Sequence, residues 1–288
     1  MKKYITTIFS HKHIHIKSLL PVMNGKNNKV YIINNTYVLR IPKKNSNVNY
    51  VQEQNAHNNL SLLPIPKILI CDTTFNMVPF PYMIQTLVPG KLWINTYHLE
   101  KTRDIYAQAG SLLKKIHRHT FSYASKDCIK KEQWSTLFSK MLFEEMQNLP
   151  SSLQIEKNIE IIDNSPNVYC LPDYNEGNIM IYKNKISGII DLEDVHITSQ
   201  YFCLVQILDR MFHFILPLNN TFKHKKLALA FLQGYGNSFN IPKNTLFMYL
   251  YYHYAYMYNR NNKKAYGKIM KQLLGENYDQ TRKTAKKH

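Results

Sequence analysis

The sequence predicts an α+β protein in two parts: a small β-rich part over residues 1–90 and a larger, mainly helical part over 91–288. Three observations carry this. Short β-branched runs separated by Asn-, Gly- and Pro-rich turns crowd the first ninety residues. From residue 97 the apolar positions recur at helical spacing. Between these helical stretches lies one more hairpin pattern, at 179–190, bracketed by an Asp/Asn loop and an acidic run.

In order, residues 1–20 carry little periodic signal. His11, His13 and His15 alternate with Lys12 and Ile14, and we read them as surface histidines on a basic segment. Val30–Ile33 and Tyr37–Ile41 flank Asn34-Asn35-Thr36, a hairpin signal. Residues 48–60 read as a helix with Val48, Val51, Ala56 and Leu60 near one face and Glu53 beside it. Pro64-Ile65-Pro66 breaks the chain, and two more strands follow at Lys67–Cys71 and Pro81–Val88 before Pro89-Gly90. Ile105, Ala109, Leu112, Leu113 and Ile116 then form a helical stripe closed by His117. Trp134–Leu149, Tyr201–Phe214 and Leu227–Tyr235 are further helices. Phe247–Tyr258 holds six tyrosines in twelve residues, with Tyr251, Tyr254 and Tyr258 on one helical face. Residues 277–288 read as a polar, basic tail.

Composition narrows the class. With 288 residues and 44% hydrophobic content the chain can bury a sizeable core. Cys71, Cys128, Cys170 and Cys203 are scattered, with neither a disulfide framework nor a zinc spacing, and read as reduced thiols of a cytoplasmic protein. No stretch has the length of a bilayer span or a signal h-region. The net charge of +18 attracts anions, yet no nucleic-acid motif accompanies it, and we read it as a solvated basic surface.

The chemistry concentrates in Leu171–Val195, LPDYNEGNIMIYKNKISGIIDLEDV. Asp173 precedes Asn178 by five positions, with the turn-forming Asn175, Glu176 and Gly177 between them. The apolar runs Ile179–Tyr182 and Ile186–Ile190 fold around Lys183-Asn184-Lys185, and the second run stops on Asp191. Metal-assisted phosphoryl transfer needs such a set. Mg²⁺ takes oxygen ligands, one or two from the protein, and Asn178 and Asp191 supply them. A separate carboxylate, Asp173, orients an acceptor hydroxyl and takes its proton.

This stretch resembles the aminoglycoside phosphotransferase and choline kinase superfamily, whose pattern is H-x-D-x-x-x-x-N, a hairpin, then I-D-[WF]-[EG]. Leu171 stands where that pattern has His, and Cys203 where the family often has an Asp. The resemblance implies a two-lobe protein-kinase-like fold and an ATP- and Mg-dependent phosphotransferase, GTP being the other candidate nucleotide. Its acceptor would be a small-molecule hydroxyl, on a choline-like amino alcohol ahead of an aminoglycoside; from the sequence itself we expect no membrane partner and hold nucleic acid as the less favoured one. NKVYII followed by YVLRIP looks like a choline-kinase-type opening. By that likeness Arg40 touches the nucleotide phosphates, Glu53 pairs with Arg40, and a loop at Gly25, Asn27 and Asn28 covers the phosphates. The backbone from Gln85 to Val88 would hydrogen-bond adenine. Glu193 or Asp194 would meet a cationic part of the acceptor or else cap a helix, and Tyr251 and Tyr254 would line its pocket, although the residues by themselves favour a packed helix whose hydroxyls reach polar partners. The alternatives are a catalytically weak pseudokinase or small-molecule-binding protein that keeps the fold without turnover, and a nucleic-acid-binding protein acting through the +18 charge.

Overall fold

The computed structural model describes residues 1–23, 27–44, 46, 48–96, 102–118, 131–155, 161–212, 222–236, 240–261 and 263–285. The chain divides into two compact units, 1–101 with 173–195, and 102–172 with 196–288. The segment 173–195 thus groups with the N-terminal residues, where the sequence placed one cut near residue 90. The reason is strand pairing, set out below.

The first unit begins with α1 (Lys2–His11), a helix that the sequence left unassigned. Ile5, Ile8 and Phe9, at i, i+3 and i+4, pack into one cluster with Ile33, Leu39, Ile41, Tyr82 and Ile84. His11, His13 and His15 are exposed, as read from the sequence. Five antiparallel strands follow: β1 (Leu19–Val22), β2 (Asn28–Ile33), β3 (Tyr37–Pro42), β4 (Ile68–Asp72) and β5 (Tyr82–Thr86), in the order β1-β2-β3-β5-β4. The β2–β3 turn uses Asn34 and Asn35 at positive φ, a conformation that Asn tolerates well. The Asn34 side chain also accepts from the amides of Lys17 and Ser18 and donates to the carbonyl of His15, tying the approach to β1 onto the turn.

Between β3 and β4 lies α2 (Tyr50–Asn59), N-capped by Asn49, whose side chain accepts from the Gln52 amide. Its buried face is Tyr50, Glu53, Ala56 and His57, while Val51 is exposed. This corrects the sequence-derived face through Val48 and Val51. The buried stripe contains polar groups because it is built around an ion pair. After β5, β6 (Lys91–Leu92) pairs with β8 (Ile179–Tyr182), which pairs in turn with β9 (Lys185–Ile189). The Ile189 amide donates to the Pro64 carbonyl. These bonds attach the hairpin to the first unit.

The second unit holds the two-stranded pair β7 (Asn167–Cys170) and β10 (His196–Ser199) and the helices α3 (Thr102–His117), α4 (Lys131–Gln147), α5 (Gln200–Phe212), α6 (Phe222–Tyr235), α7 (Lys243–Arg260) and α8 (Lys263–Ala285). α8 runs through most of the segment that the sequence suggested was a tail. Helices α3 and α6 cross closely: a Cβ on Gly110 would lie 1.9 Å from the Phe231 carbonyl oxygen, and one on Gly234 1.9 Å from that of Ala107. Only glycine fits at either position. A core cluster of this unit joins Trp134, Phe138, Phe202, Tyr249, Tyr251, Tyr252 and Tyr254 with the apolar faces of α4, α5, α7 and α8. No helix among the described residues is long and apolar enough to cross a membrane.

Candidate active site

The loop and hairpin at 173–195 build one half of the site. Asn175 shapes the loop: its Oδ1 accepts from the Gly177 amide at 2.7 Å, and its carbonyl accepts from the Asn178 amide at 3.0 Å. Asn178 Nδ2 donates to the Asp173 carbonyl at 3.0 Å, as does Asn175 Nδ2 at 3.1 Å. The amide of Asn178 therefore spends its donor inside the loop, and its Oδ1 is the atom suited to a hard cation. Across the hairpin, the Ile190 amide donates to the Asn178 carbonyl at 2.9 Å. That bond fixes Asn178 opposite the residue before Asp191. Asp191 itself sits at φ 66, a left-handed conformation that Asp adopts more readily than most residues. Asp173 is exposed at the mouth of the loop and close enough to raise the Asp191 pKa.

The sheet and α2 build the other half. Arg40, on β3, donates through Nη1 to Glu53 Oε1 on α2. Its Nη2 reaches Asp191 Oδ1 at 3.3 Å and Glu193 Oε2 at 3.4 Å. Glu193 is tied further by Asn27, whose Nδ2 donates to Oε1 at 2.8 Å. The Arg40 guanidinium lies 5.9 Å from the centre of the Tyr50 ring, and the Tyr50 hydroxyl donates to Asn28 Oδ1 at 2.8 Å. Arg40 and Glu53 have side-chain exposures of 7% and 0%, whereas Asp191 keeps 40%.

One guanidinium thus faces three carboxylates. Burial works against the charge on Arg40, but Glu53 and Asp191 outweigh it and raise its pKa. Burial likewise pushes Glu53 up, and His57 and Arg40 more than reverse it, so its carboxyl lies below the usual range. Asp191 moves the other way. Desolvation, aided by Glu193, Glu53 and Asp173, pushes its carboxyl up to about 6 despite the attraction of Arg40. The site is short of positive charge at the most exposed of the three carboxylates that face Arg40. A divalent cation held by Asp191 Oδ and Asn178 Oδ1 suits that deficit, and the all-oxygen donor set suits Mg²⁺.

The structure therefore brings Arg40, Glu53, Asn178, Asp191 and Glu193 into one connected network within the first unit, with Asp173 on the same loop. Gln85 and Val88 are buried, Gln85 on β5 opposite Val38 and Val88 just beyond that strand's end. The remaining predicted residues lie elsewhere. Asp194 is exposed on the turn after Glu193. Glu193, expected to meet a cationic acceptor, is occupied by Arg40 and Asn27. Tyr251 and Tyr254 are core residues: their hydroxyls donate to the Leu153 carbonyl and to Asp209 Oδ1. Gly25 lies outside the described residues, as does Cys128. Sequence reasoning assigned no part to Tyr50 or His57, which periodicity alone marks only as positions on a helical face. In the second unit, buried Leu171 replaces the family's His, and the next carbonyl, that of Pro172, accepts from Arg210 Nη1 at 2.6 Å. Cys203 is buried with its Sγ 3.4 Å from Nε2 of His117, whose Nδ1 bonds the Tyr235 hydroxyl at 2.8 Å.

No curated protein sequence matches the chain. Among solved structures, it is similar to a gentamicin complex of the phosphotransferase APH(2'')-IIa, at 17% identity and a TM-score of 0.60, over 93% of this chain and 95% of that one. It is similar to the ADP-bound aminoglycoside phosphotransferase APH(2'')-Ib at 16% identity and a TM-score of 0.58, over 93% and 96% of the two chains. The macrolide 2'-phosphotransferase MphH of Brachybacterium faecium, an apoenzyme structure, gives 12% identity and a TM-score of 0.58, over 94% and 97%. At these identities the likeness establishes the fold, which is protein-kinase-like. The phosphotransferase enzyme family, APH, matches residues 18–240, a span that runs from the first strand to the start of α7 and contains every residue of the Arg40–Asp191 network; the chain belongs to that family.

Proposed function

We propose that the protein transfers the terminal phosphoryl group of Mg–ATP or Mg–GTP to a hydroxyl of a small molecule. The observation that carries this reading is the Arg40 network: a buried Arg–Glu pair on the sheet and α2, joined to the Asp191 and Asn178 end of the hairpin. In this mechanism Arg40 Nη2 leaves Asp191 and Glu193 for the nucleotide phosphates, while Nη1 keeps Glu53. Asn178 Oδ1 and the Asp191 carboxylate hold Mg²⁺, which when bound offsets phosphate charge and the developing charge of transfer. Asp173 accepts a hydrogen bond from the acceptor hydroxyl, aligns it and takes its proton. Gln85 to Val88 receive the base through backbone groups. Asn27, bonded to Glu193, stands beside the phosphates.

For the acceptor we place aminoglycosides ahead of choline-like amino alcohols. The tyrosines that suggested a choline pocket are committed to the core. The similar structures are antibiotic phosphotransferases, one of them a gentamicin complex. The test has two stages. Melting temperature is measured with ATP and GTP, with and without Mg²⁺, for wild type and Asp191→Ala. Phosphate transfer from labelled nucleotide is then assayed with gentamicin, kanamycin, choline and thiamine. A Mg-dependent rise absent from Asp191→Ala, followed by labelling of one acceptor, is the expected result. A Mg-dependent rise with no labelling supports the alternative of a nucleotide-binding pseudokinase, to which Leu171 and Cys203 already lend weight. No rise with either nucleotide overturns the reading.

A further inference from the structure

His57 lies one helical turn after Glu53 on α2, and its side chain is 4% exposed. Its Nδ1 is 2.8 Å from the Pro66 carbonyl oxygen. A carbonyl only accepts, so Nδ1 carries a hydrogen. The other edge of the ring, Nε2, is turned to Glu53 Oε1 at 3.6 Å. In the neutral ring that edge is a lone pair set against a carboxylate; protonated, it is a donor set against its natural acceptor. Two buried atoms that lack a hydrogen-bond partner among the described residues, His57 Nε2 and Glu53 Oε2, belong to these same two side chains. Each side chain thus has hydrogen-bonding capacity left on the edge it shares with the other.

Glu53 has no exposure, so its charge needs a cation beside it at all times. Arg40 is a shared cation, with Nη1 on Glu53 and Nη2 on Asp191 and Glu193. A phosphate that attracts Arg40 competes with Glu53 for one guanidinium. We infer that His57 is a positioning residue: as an imidazolium bridging the Pro66 carbonyl and Glu53, it keeps Glu53 neutralised and in place while Arg40 engages nucleotide phosphate. This inference rests on the nucleotide reading of the Arg40 site. It assigns the array Pro66–His57–Glu53–Arg40 a single task, offsetting the buried Glu53 charge while the Arg40 guanidinium, still bonded to Glu53 through Nη1, is shared with a polyanion.

The test is a double-mutant cycle on the full chain with His57→Leu, Glu53→Gln and the pair. Mg–ATP affinity is measured by calorimetry and adenosine affinity by NMR titration. We expect His57→Leu to weaken Mg–ATP by about tenfold, the scale of one charge-assisted hydrogen bond, and to move adenosine by less than about twofold. In the Glu53→Gln background the same substitution should change Mg–ATP affinity by less than about twofold. Equal loss for both ligands, equal loss in both backgrounds, or no loss at all each overturns the inference. Should His57→Leu fail to fold, His57→Gln, which keeps an N–H for Pro66 without a charge, takes its place; wild-type Mg–ATP affinity in that variant overturns the inference as well. If wild type binds neither Mg–ATP nor Mg–GTP, the nucleotide reading is what falls. The His57–Glu53 bridge is then read from urea unfolding of the same four proteins, where additive losses overturn it.

Discussion

Replacing Arg40 by Met removes the partner of a carboxylate that has no exposure at all. Breaking a buried ion pair from one side typically costs about 3–5 kcal/mol, because the surviving charge is left in a poor solvent. His57, 3.6 Å from the same Glu53 oxygen, softens the loss, which places the expectation near the lower end, about 3 kcal/mol. At about 2–4 °C per kcal/mol for a protein approaching this size, the melting temperature should fall by about 6–12 °C. The informative partner is Arg40→Met with Glu53→Leu. Apolar replacement of both members of a buried pair is often neutral, so the double variant should recover most of the stability while failing to bind Mg–nucleotide. Urea unfolding by linear extrapolation reads the first effect, and the nucleotide-induced shift in melting temperature reads the second. A double variant no more stable than Arg40→Met, or an Arg40→Met protein as stable as wild type, refutes the reasoning that Arg40 is there to keep Glu53 charged inside the fold.

Asp173→Asn should lower the rate of phosphate transfer by about 10²-fold or more while nucleotide affinity stays within about twofold, since it removes the proton acceptor and leaves the Arg40 network in place; steady-state kinetics and calorimetry on one preparation check this. The raised pKa of Asp191 gives a sign for pH. Its folded value, about 6, lies above the value near 3.9 for an unfolded chain, so its contribution to stability is present below about pH 4 and is lost as pH rises through 6. Mg-dependent nucleotide binding, which needs the carboxylate, should strengthen over the same window, and Asp191→Asn should flatten both profiles, as melting scans from pH 4 to 8 with and without Mg–ATP would reveal. Tyr254→Phe removes the hydroxyl that donates to Asp209 Oδ1, leaving His253 Nε2 at 3.3 Å from Oδ2, and should cost about 1–3 kcal/mol in urea unfolding with no change in acceptor KM. An altered KM would return Tyr254 to the acceptor pocket.

Much of this site could be read from the sequence because its parts are local. The hairpin 179–190 shows as two β-branched runs about a polar turn, and the Asp173–Asn178 spacing shows as a loop before it. The β2–β3 turn shows in the same way, and Arg40 with Glu53 followed from family likeness. Other features were hidden for identifiable reasons. α1 presents only Ile5, Ile8 and Phe9 as a stripe among threonines and lysines, too short a pattern to stand out from a polar segment. The buried face of α2 carries Glu53 and His57, so a search for apolar periodicity chose Val48 and Val51 instead. Tyr249, Tyr251 and Tyr254 of α7 sit in the core, their hydroxyls satisfied by Asp163, Leu153 and Asp209, and sequence spacing suggests the packed helix without revealing those partners. Asn27 meets Glu193 across 166 positions, and no local pattern announces such a contact.

The register between Asn178 and Ile190 has a consequence for how the site is assembled in time. Arg40 and Glu53 are thirteen positions apart along the chain, and so are Asn178 and Asp191. Each pair closes a short loop, which forms early and at small entropic cost. The bonds that join the two halves, from Arg40 to Asp191 and Glu193 and from Asn27 to Glu193, span 151, 153 and 166 positions and must wait for the rest of the first unit to gather. Two competent half-sites can thus exist in a chain that has not finished folding. Productive nucleotide binding would then appear only with the last, long-range step, making it a reporter of completed folding as well as of chemistry.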